Sequence, residues 1–209
     1  PIVCFVPTAS GDSDVYVRKF YSSHNNLGCR PRHLSLFEVP TRDLRSYVCE
    51  CDVIYVGGGN TRLLLLIWNE LGLPDLLRLS LREGTILCGI SAGANCWFDG
   101  SVTDSMGSVQ DAWDGRFQAL GGLGFLSGSF CPHYDGEAQR RSEYHRLVRE
   151  GALPAGWAAD DGCALHFVDR SLDKVVASRP TSRAYRVELR EGEVVETPRD
   201  ASLLESVRP

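Results

Sequence analysis

No apolar run in this chain approaches the length needed to cross a bilayer, and no charged-then-apolar leader pattern opens it. Basic charge is scarce as well. Lys and Arg number 22 against 27 Asp and Glu, a formal net charge of −5 with a pI near 5.5. Nucleic-acid binders normally present a basic face, so neither a nucleic acid nor a membrane is the expected partner. Metal-type cysteine spacing is missing too. Of eight cysteines only Cys49 and Cys51 lie close together, and their spacing is not that of a zinc knuckle. The cysteines sit mostly in apolar stretches and read as small buried hydrophobes of a cytoplasmic protein. There is no internal repeat, long linker, low-complexity segment or phosphate-binding G-x-x-x-x-G-K-[ST] motif.

What is present alternates regularly over the first ninety or so residues. Ile2-Val3-Cys4-Phe5-Val6, ended by Pro7, reads as a fully buried parallel strand. Val15, Tyr16, Lys19 and Phe20 follow helical spacing after the capping candidates Asp12 and Ser13. Leu34 to Val39 reads as a second strand, Leu44 to Val48 as a short helix and Val53 to Val56 as a third strand. Helices over Asn60 to Leu71 and about Asp75 to Arg82 precede a strand from Thr85 to Gly89. Such a series predicts an α/β fold: a mostly parallel sheet with helices on both faces and ligands at the carboxyl ends of its strands. Residues 99 to 129, rich in Gly, Ser and Asp, read mostly as loop, with a short strand at Ser129-Phe130-Cys131. A polar helix follows over Glu137 to Arg149. The last fifty residues read as antiparallel ribbons at Cys163 to Val168, Lys174 to Ser178 and Ala184 to Leu189. At 209 residues the whole is expected to be one domain, 1–209.

Chemistry concentrates at Gly89-Ile90-Ser91-Ala92-Gly93, a G-x-S-x-G strand-to-helix turn that exposes a serine hydroxyl over the end of a sheet. A serine needs a base and an oxyanion hole before it becomes a nucleophile. Among five histidines, His24 and His145 lie on polar helices, His33 flanks a strand start and His166 sits in an alternating strand. His133 follows a short strand and a proline, where a loop can hold it over a sheet edge. Val56-Gly57-Gly58-Gly59-Asn60-Thr61 runs from a strand into a helix. An N–H of its glycines, with that of Ala92, could hold a negative oxygen. For the acid that orients the histidine, Asp104, Asp160 and Asp161 all qualify, each lying in a loop or turn.

Together Val6-Pro7-Thr8-Ala9-Ser10, Val56 to Thr61, Gly89 to Asn95 and Pro132-His133-Tyr134 resemble the peptidase E family of serine peptidases, which also contains cyanophycinase. The resemblance spans most of the chain. It implies a class I glutamine amidotransferase-like (flavodoxin-like) fold, here with a small antiparallel C-terminal extension, and serine in place of those enzymes' cysteine. It makes Ser91 the nucleophile, His133 the base, Gly59 and Ala92 the oxyanion hole, and Asp161 the third member, at a position where the family usually carries Glu. Asp104 matches a family-typical aspartate shortly after the elbow. The implied activity is hydrolysis of dipeptides with an N-terminal aspartate, without cofactor or metal. The substrate β-carboxylate calls for a cation, for which Arg140 and Arg141 are the candidates beside Asn60. The resemblance further implies a homodimer, and a strand and helix before Ile2 that this chain begins without.

Three rivals remain in view. An α/β-hydrolase esterase has the order Ser, Asp, His, which Ser91, Asp104 and His133 satisfy, but too few residues separate Ser91 from His133 for that fold. A cyanophycinase-like β-aspartyl peptidase is chemically nearer. A flavodoxin-like binding module would leave Ser91 unreactive.

Overall fold

The structure, a computed structural model, describes residues 1–38, 43–106 and 117–204. The chain divides into two compact units, Pro1–Cys96 and Trp97–Pro209. Among the described residues no helix is long and apolar enough to cross a membrane. All eight cysteines are free thiols.

The first unit is built on a four-stranded parallel sheet in the order β2-β1-β3-β4, comprising β1 (Ile2–Val6), β2 (Arg30–His33), β3 (Val53–Val56) and β4 (Ile86–Gly89). Alternation along the strands divides their side chains between two faces. Val3 and Phe5 of β1, with Val53 and Tyr55 of β3, pack against Phe20 of helix α1 (Asp14–His24). The Phe5 and Phe20 rings stack at 5.0 Å. Ile54 and Val56 face the other way, where Val56 meets the start of the short helix α5 (Ala92–Asn95). Helices therefore cover both faces, as the strand–helix alternation predicts. Helices α2 (Leu44–Cys49), α3 (Thr61–Glu70) and α4 (Leu73–Arg82) complete the unit. Trp68 of α3 is fully buried and donates its indole N–H to Thr8 Oγ1 at 3.1 Å.

One expected strand moves. The second strand is Arg30–His33, and Leu34 to Glu38 is loop, with Val39 outside the described residues. The cause is Asp12. Its Oδ2 accepts from Ser35 Oγ (2.5 Å), Leu36 N (2.6 Å) and Phe37 N (2.9 Å), so those backbone donors are satisfied by a side chain instead of a neighbouring strand.

The second unit holds a six-stranded mixed sheet, order β12-β11-β8-β7-β5-β6, and a three-stranded sheet, order β13-β10-β9. Its strands are β5 (Phe98–Thr103), β6 (Gln118–Gly121), β7 (Leu126–Cys131), β8 (Gly156–Ala159), β9 (Cys163–Val168), β10 (Ser171–Ala177), β11 (Ala184–Arg190), β12 (Glu193–Arg199) and β13 (Ser202–Leu203). β5, β7 and β8 pair in parallel; β6, β11 and β12 join antiparallel. Helix α6 (Arg140–Arg149) buries Tyr144, Leu147 and Val148 in a core with Val102, Cys131, Tyr134, Ala158 and Val187.

The expectation of loop over residues 99 to 129 is thus corrected to three strands, with 107–116 outside the described residues. Asp99-Gly100-Ser101 and Ser127-Gly128-Ser129 carry poor β propensity and no alternation. They are strands because Gly100, Ser101 and Ser129 are paired and buried in the assembled sheet, a tertiary effect that local composition does not display. The C-terminal ribbons appear where expected, with β12 and β13 added.

Candidate active site

The elbow is fixed by contacts that admit no side chain at its two glycines. A Cβ on Gly89 would stand 2.1 Å from Gly93 O, and one on Gly93 would stand 2.3 Å from Val56 O. β4 and α5 therefore approach at backbone distance, and the chain between them must turn sharply. Ser91 absorbs that turn with φ 55° and ψ −118°, a left-handed conformation that costs a non-glycine residue energy. It stands at the N-cap of α5, so the helix begins with Ala92 immediately after it.

The glycine triplet lies beside it. The position of a Cβ on Gly58 is 3.2 Å from Ser91 Cβ and 3.7 Å from its Oγ. Gly59 adopts φ 139°, and a Cβ there would stand 2.2 Å from Ala9 O. Among the described residues neither the Gly59 N–H nor the Ala92 N–H has a hydrogen-bond acceptor. Asn60 serves locally: its Oδ1 accepts from Leu63 N at 2.9 Å and caps α3. Gly57, Gly58 and Ile90 also border an apolar cleft of about 440 Å³ lined by Phe5, Tyr16, Phe20, Tyr55 and Cys88.

In the second unit His133 follows β7 and Pro132 with φ 54°, another left-handed non-glycine residue. Its Nδ1 lies 2.7 Å from Asp161 Oδ1, in the turn between β8 and β9. An ionised carboxylate only accepts, so Nδ1 carries the proton and Nε2 is left as the basic nitrogen. Both side chains are partly exposed, 28% for His133 and 41% for Asp161.

The other two acids lie elsewhere. Asp160 is buried at 7% exposure and turned toward β11, accepting from Arg183 N (2.9 Å) and Tyr185 OH (3.3 Å). Desolvation raises its pKa above the ordinary aspartate value. Asp104 is exposed just beyond β5. Of the three candidates, Asp161 is the one on the histidine.

Both candidate arginines are already matched. Arg140, 5% exposed, gives Nε and Nη2 to Glu137 Oε2 (2.9 and 2.7 Å) and stacks 4.3 Å over the Phe117 ring. Arg141 grips Glu196 through Nε and Nη2. Glu196 also receives Tyr134 OH and lies 3.1 Å from His145 Nε2. These two guanidiniums tie α6 down.

Sequence reasoning missed the surroundings of Asp161. Asp135 Oδ1 accepts from Asp161 N at 2.8 Å, and Ser182 Oγ donates to Asp161 O at 2.7 Å. Only the Asp135-Gly136 dipeptide, a turn signal, hinted at this.

A strained serine elbow beside a glycine triplet, and a histidine–aspartate pair after a strand, are the parts of a hydrolase. The sequence model of peptidase family S51 matches residues 1–175. The chain belongs to this family. An uncharacterized peptidase, YgaJ, of Bacillus subtilis (strain 168) is 52% identical over 198 residues, covering 95% of this chain and 83% of its own. Peptidase E of Haemophilus influenzae is 31% identical over 174 residues, covering 79% of this chain and 76% of its own. The crystal structure of a peptidase from an acI-B1 Actinobacterium is similar in fold, with a TM-score of 0.66 at 17% identity, covering 96% of this chain and 81% of that one. Membership in family S51 makes this protein a peptidase, on an α/β fold of the kind the strand–helix alternation predicts.

Proposed function

We propose that this peptidase is a serine-type dipeptidase that hydrolyses peptides bearing an N-terminal aspartate, through an acyl-enzyme on Ser91. The strained elbow carries the reading. A non-glycine residue held at φ 55° persists only where the surrounding structure enforces it, and such strain collects at reactive groups.

On this reading Ser91 Oγ attacks the scissile carbonyl carbon while His133 Nε2 takes the serine proton. Asp161 keeps the Nδ1 proton in place and stabilises the imidazolium as it forms. The carbonyl oxygen, now negative, accepts from the Gly59 and Ala92 N–H groups, donors with no competing acceptor among the described residues. His133 then protonates the leaving amine, and water attacks the acyl-enzyme with His133 again as base. Every proton is handled by side chains of the chain, and no step calls for a cofactor. A homodimer of cytoplasmic location remains part of the proposal.

Preference for aspartate comes from the family resemblance and from the charge on its β-carboxylate. Arg140 and Arg141 are engaged with Glu137 and Glu196, so the proposal leaves the aspartate-reading cation to another residue. Purified protein is tested on Asp-Leu, Ala-Leu and β-Asp-Arg, with a fluorophosphonate probe followed by mass spectrometry. The expected result is cleavage of Asp-Leu well above the others and one adduct on Ser91, both abolished in Ser91→Ala. Preference for β-Asp-Arg would favour a cyanophycinase-like activity instead. Absence of both cleavage and label would overturn the serine mechanism.

A further inference from the structure

The Asp161 carboxylate must meet the His133 ring on a short side chain, and the turn that follows His133 is shaped around it. Gly136 N donates to His133 O at 3.2 Å, closing residues 133–136 into a tight turn. Within that turn Asp135 Oδ1 accepts from Asp161 N at 2.8 Å and draws the main chain of residue 161 toward the histidine. Gly136 leaves the space the carboxylate fills: a Cβ there would stand 2.6 Å from Asp161 Oδ2 and 3.3 Å from its Cγ. Ser182 Oγ holds the following peptide unit through Asp161 O at 2.7 Å, so the main chain is bonded on both sides of the Asp161 Cα. The residues that carry His133 thus also locate its partner.

We infer that Asp135 is a positioning residue for the histidine–aspartate pair, fixing Asp161 through its backbone N–H, with Gly136 supplying the room for the carboxylate. This rests on the reading of His133 as base and Asp161 as its orienting acid. Asp135 touches no reacting atom. It acts on the angle and distance of the His133 Nδ1–Asp161 Oδ1 bond, and so on how well the imidazolium is stabilised in the transition state. The clash created at Gly136 falls on the far end of one side chain and not on backbone, so the fold tolerates it while the pair is displaced.

The test compares wild type with Asp161→Ala, Asp135→Ala, Asp135→Asn and Gly136→Ala. Each is assayed for kcat and KM on Asp-Leu, for melting temperature, and for the downfield proton NMR signal of a His133 Nδ1–H bonded to a carboxylate. Asp135→Ala and Gly136→Ala are expected to lower kcat about tenfold, with KM within about twofold and melting nearly unchanged, and to broaden or remove the downfield signal. Asp135→Asn retains an oxygen that accepts the Asp161 N–H and is expected to restore most of both. If Asp161→Ala loses activity while Asp135→Ala and Gly136→Ala keep wild-type kcat and signal, the positioning role is wrong and the triad stands. If Asp161→Ala keeps wild-type activity, the triad itself is wrong. The NMR signal reads the effect of Asp135 in either case, and its survival in Asp135→Ala and Gly136→Ala overturns the inference.

Discussion

Replacing Gly89 by Ala adds one methyl group at the tightest point of the elbow. The new carbon would lie 2.1 Å from Gly93 O and 2.4 Å from Gly93 C, both main-chain atoms of the first turn of α5. Ordinary contact begins near 3.4 Å, so α5 must retreat from β4 by about 1 Å. No rotamer change relieves the clash. α5 cannot retreat freely either, because Gly93 already lies against Val56 of β3. Overpacking of a rigid interior commonly costs about 1–3 kcal/mol, and a backbone-to-backbone clash belongs at the upper end. For a chain of this size about 3 kcal/mol lowers the melting temperature by roughly 6–12 °C. Ser91 sits midway between the two clashing residues, so the displacement falls on it. A misplacement of about 1 Å at a reacting group costs about 100-fold in rate. The assay is thermal unfolding by circular dichroism beside fluorophosphonate labelling, with Gly121→Ala as control. At Gly121 the nearest atom to an added Cβ is 3.9 Å away, and little change is expected. A Gly89→Ala protein that melts within 1 °C of wild type and labels at the same rate would refute this account of the elbow.

Three further outcomes follow from the packing. Phe20→Ala removes a ring that is 4% exposed and stacked on Phe5, and is expected to cost about 3–5 kcal/mol in urea unfolding; a loss under about 1 kcal/mol would mean that α1 is not anchored there. Tyr144→Phe deletes a buried hydroxyl 2.7 Å from Ser129 Oγ, while Ser129 keeps its bond to Pro154 O, so the cost should be about 1 kcal/mol by the same measurement. Asp160 is buried and its pKa is raised, so the folded state holds its proton more tightly than the unfolded chain does, and stability is lost as pH rises through the folded pKa. Asp160→Asn keeps an acceptor for Arg183 N but never ionises; its melting temperature relative to wild type should therefore rise between pH 4 and pH 7, and a flat difference would contradict the assignment.

Much of the first unit was legible in the sequence because its signals are local. β1, β3 and β4 are short apolar runs bounded by Pro or Gly, and α3 starts at Thr61, directly after Asn60, whose side chain caps it. The expected strand over Leu34 to Val39 failed because Asp12, more than twenty residues earlier, takes the backbone donors of Leu36 and Phe37. β5 and β7 were hidden for a related reason. Residues such as Gly100, Ser101 and Ser129 hold strand conformation through their partners, Leu120, Phe130 and Gly156 among them, and not through their own preference.

The sequence by itself determined the serine elbow, because a turn that would leave an added Cβ 2.1 Å or 2.3 Å from a neighbouring carbonyl oxygen demands glycine at both Gly89 and Gly93 and leaves its mark in the residue types. It also determined that the Gly57–Gly59 triplet follows a strand. Tertiary structure alone decided which aspartate meets His133. Asp160 and Asp161 are adjacent and chemically identical, and in the strand-ending turn their side chains diverge, one buried under Arg183 and Tyr185, the other 2.7 Å from His133 Nδ1. It likewise decided that Arg140 and Arg141 meet Glu137 and Glu196. A charge's role depends on which opposite charge is brought within a few ångströms, and that distance is set by the packing of strands and helices far apart in the chain.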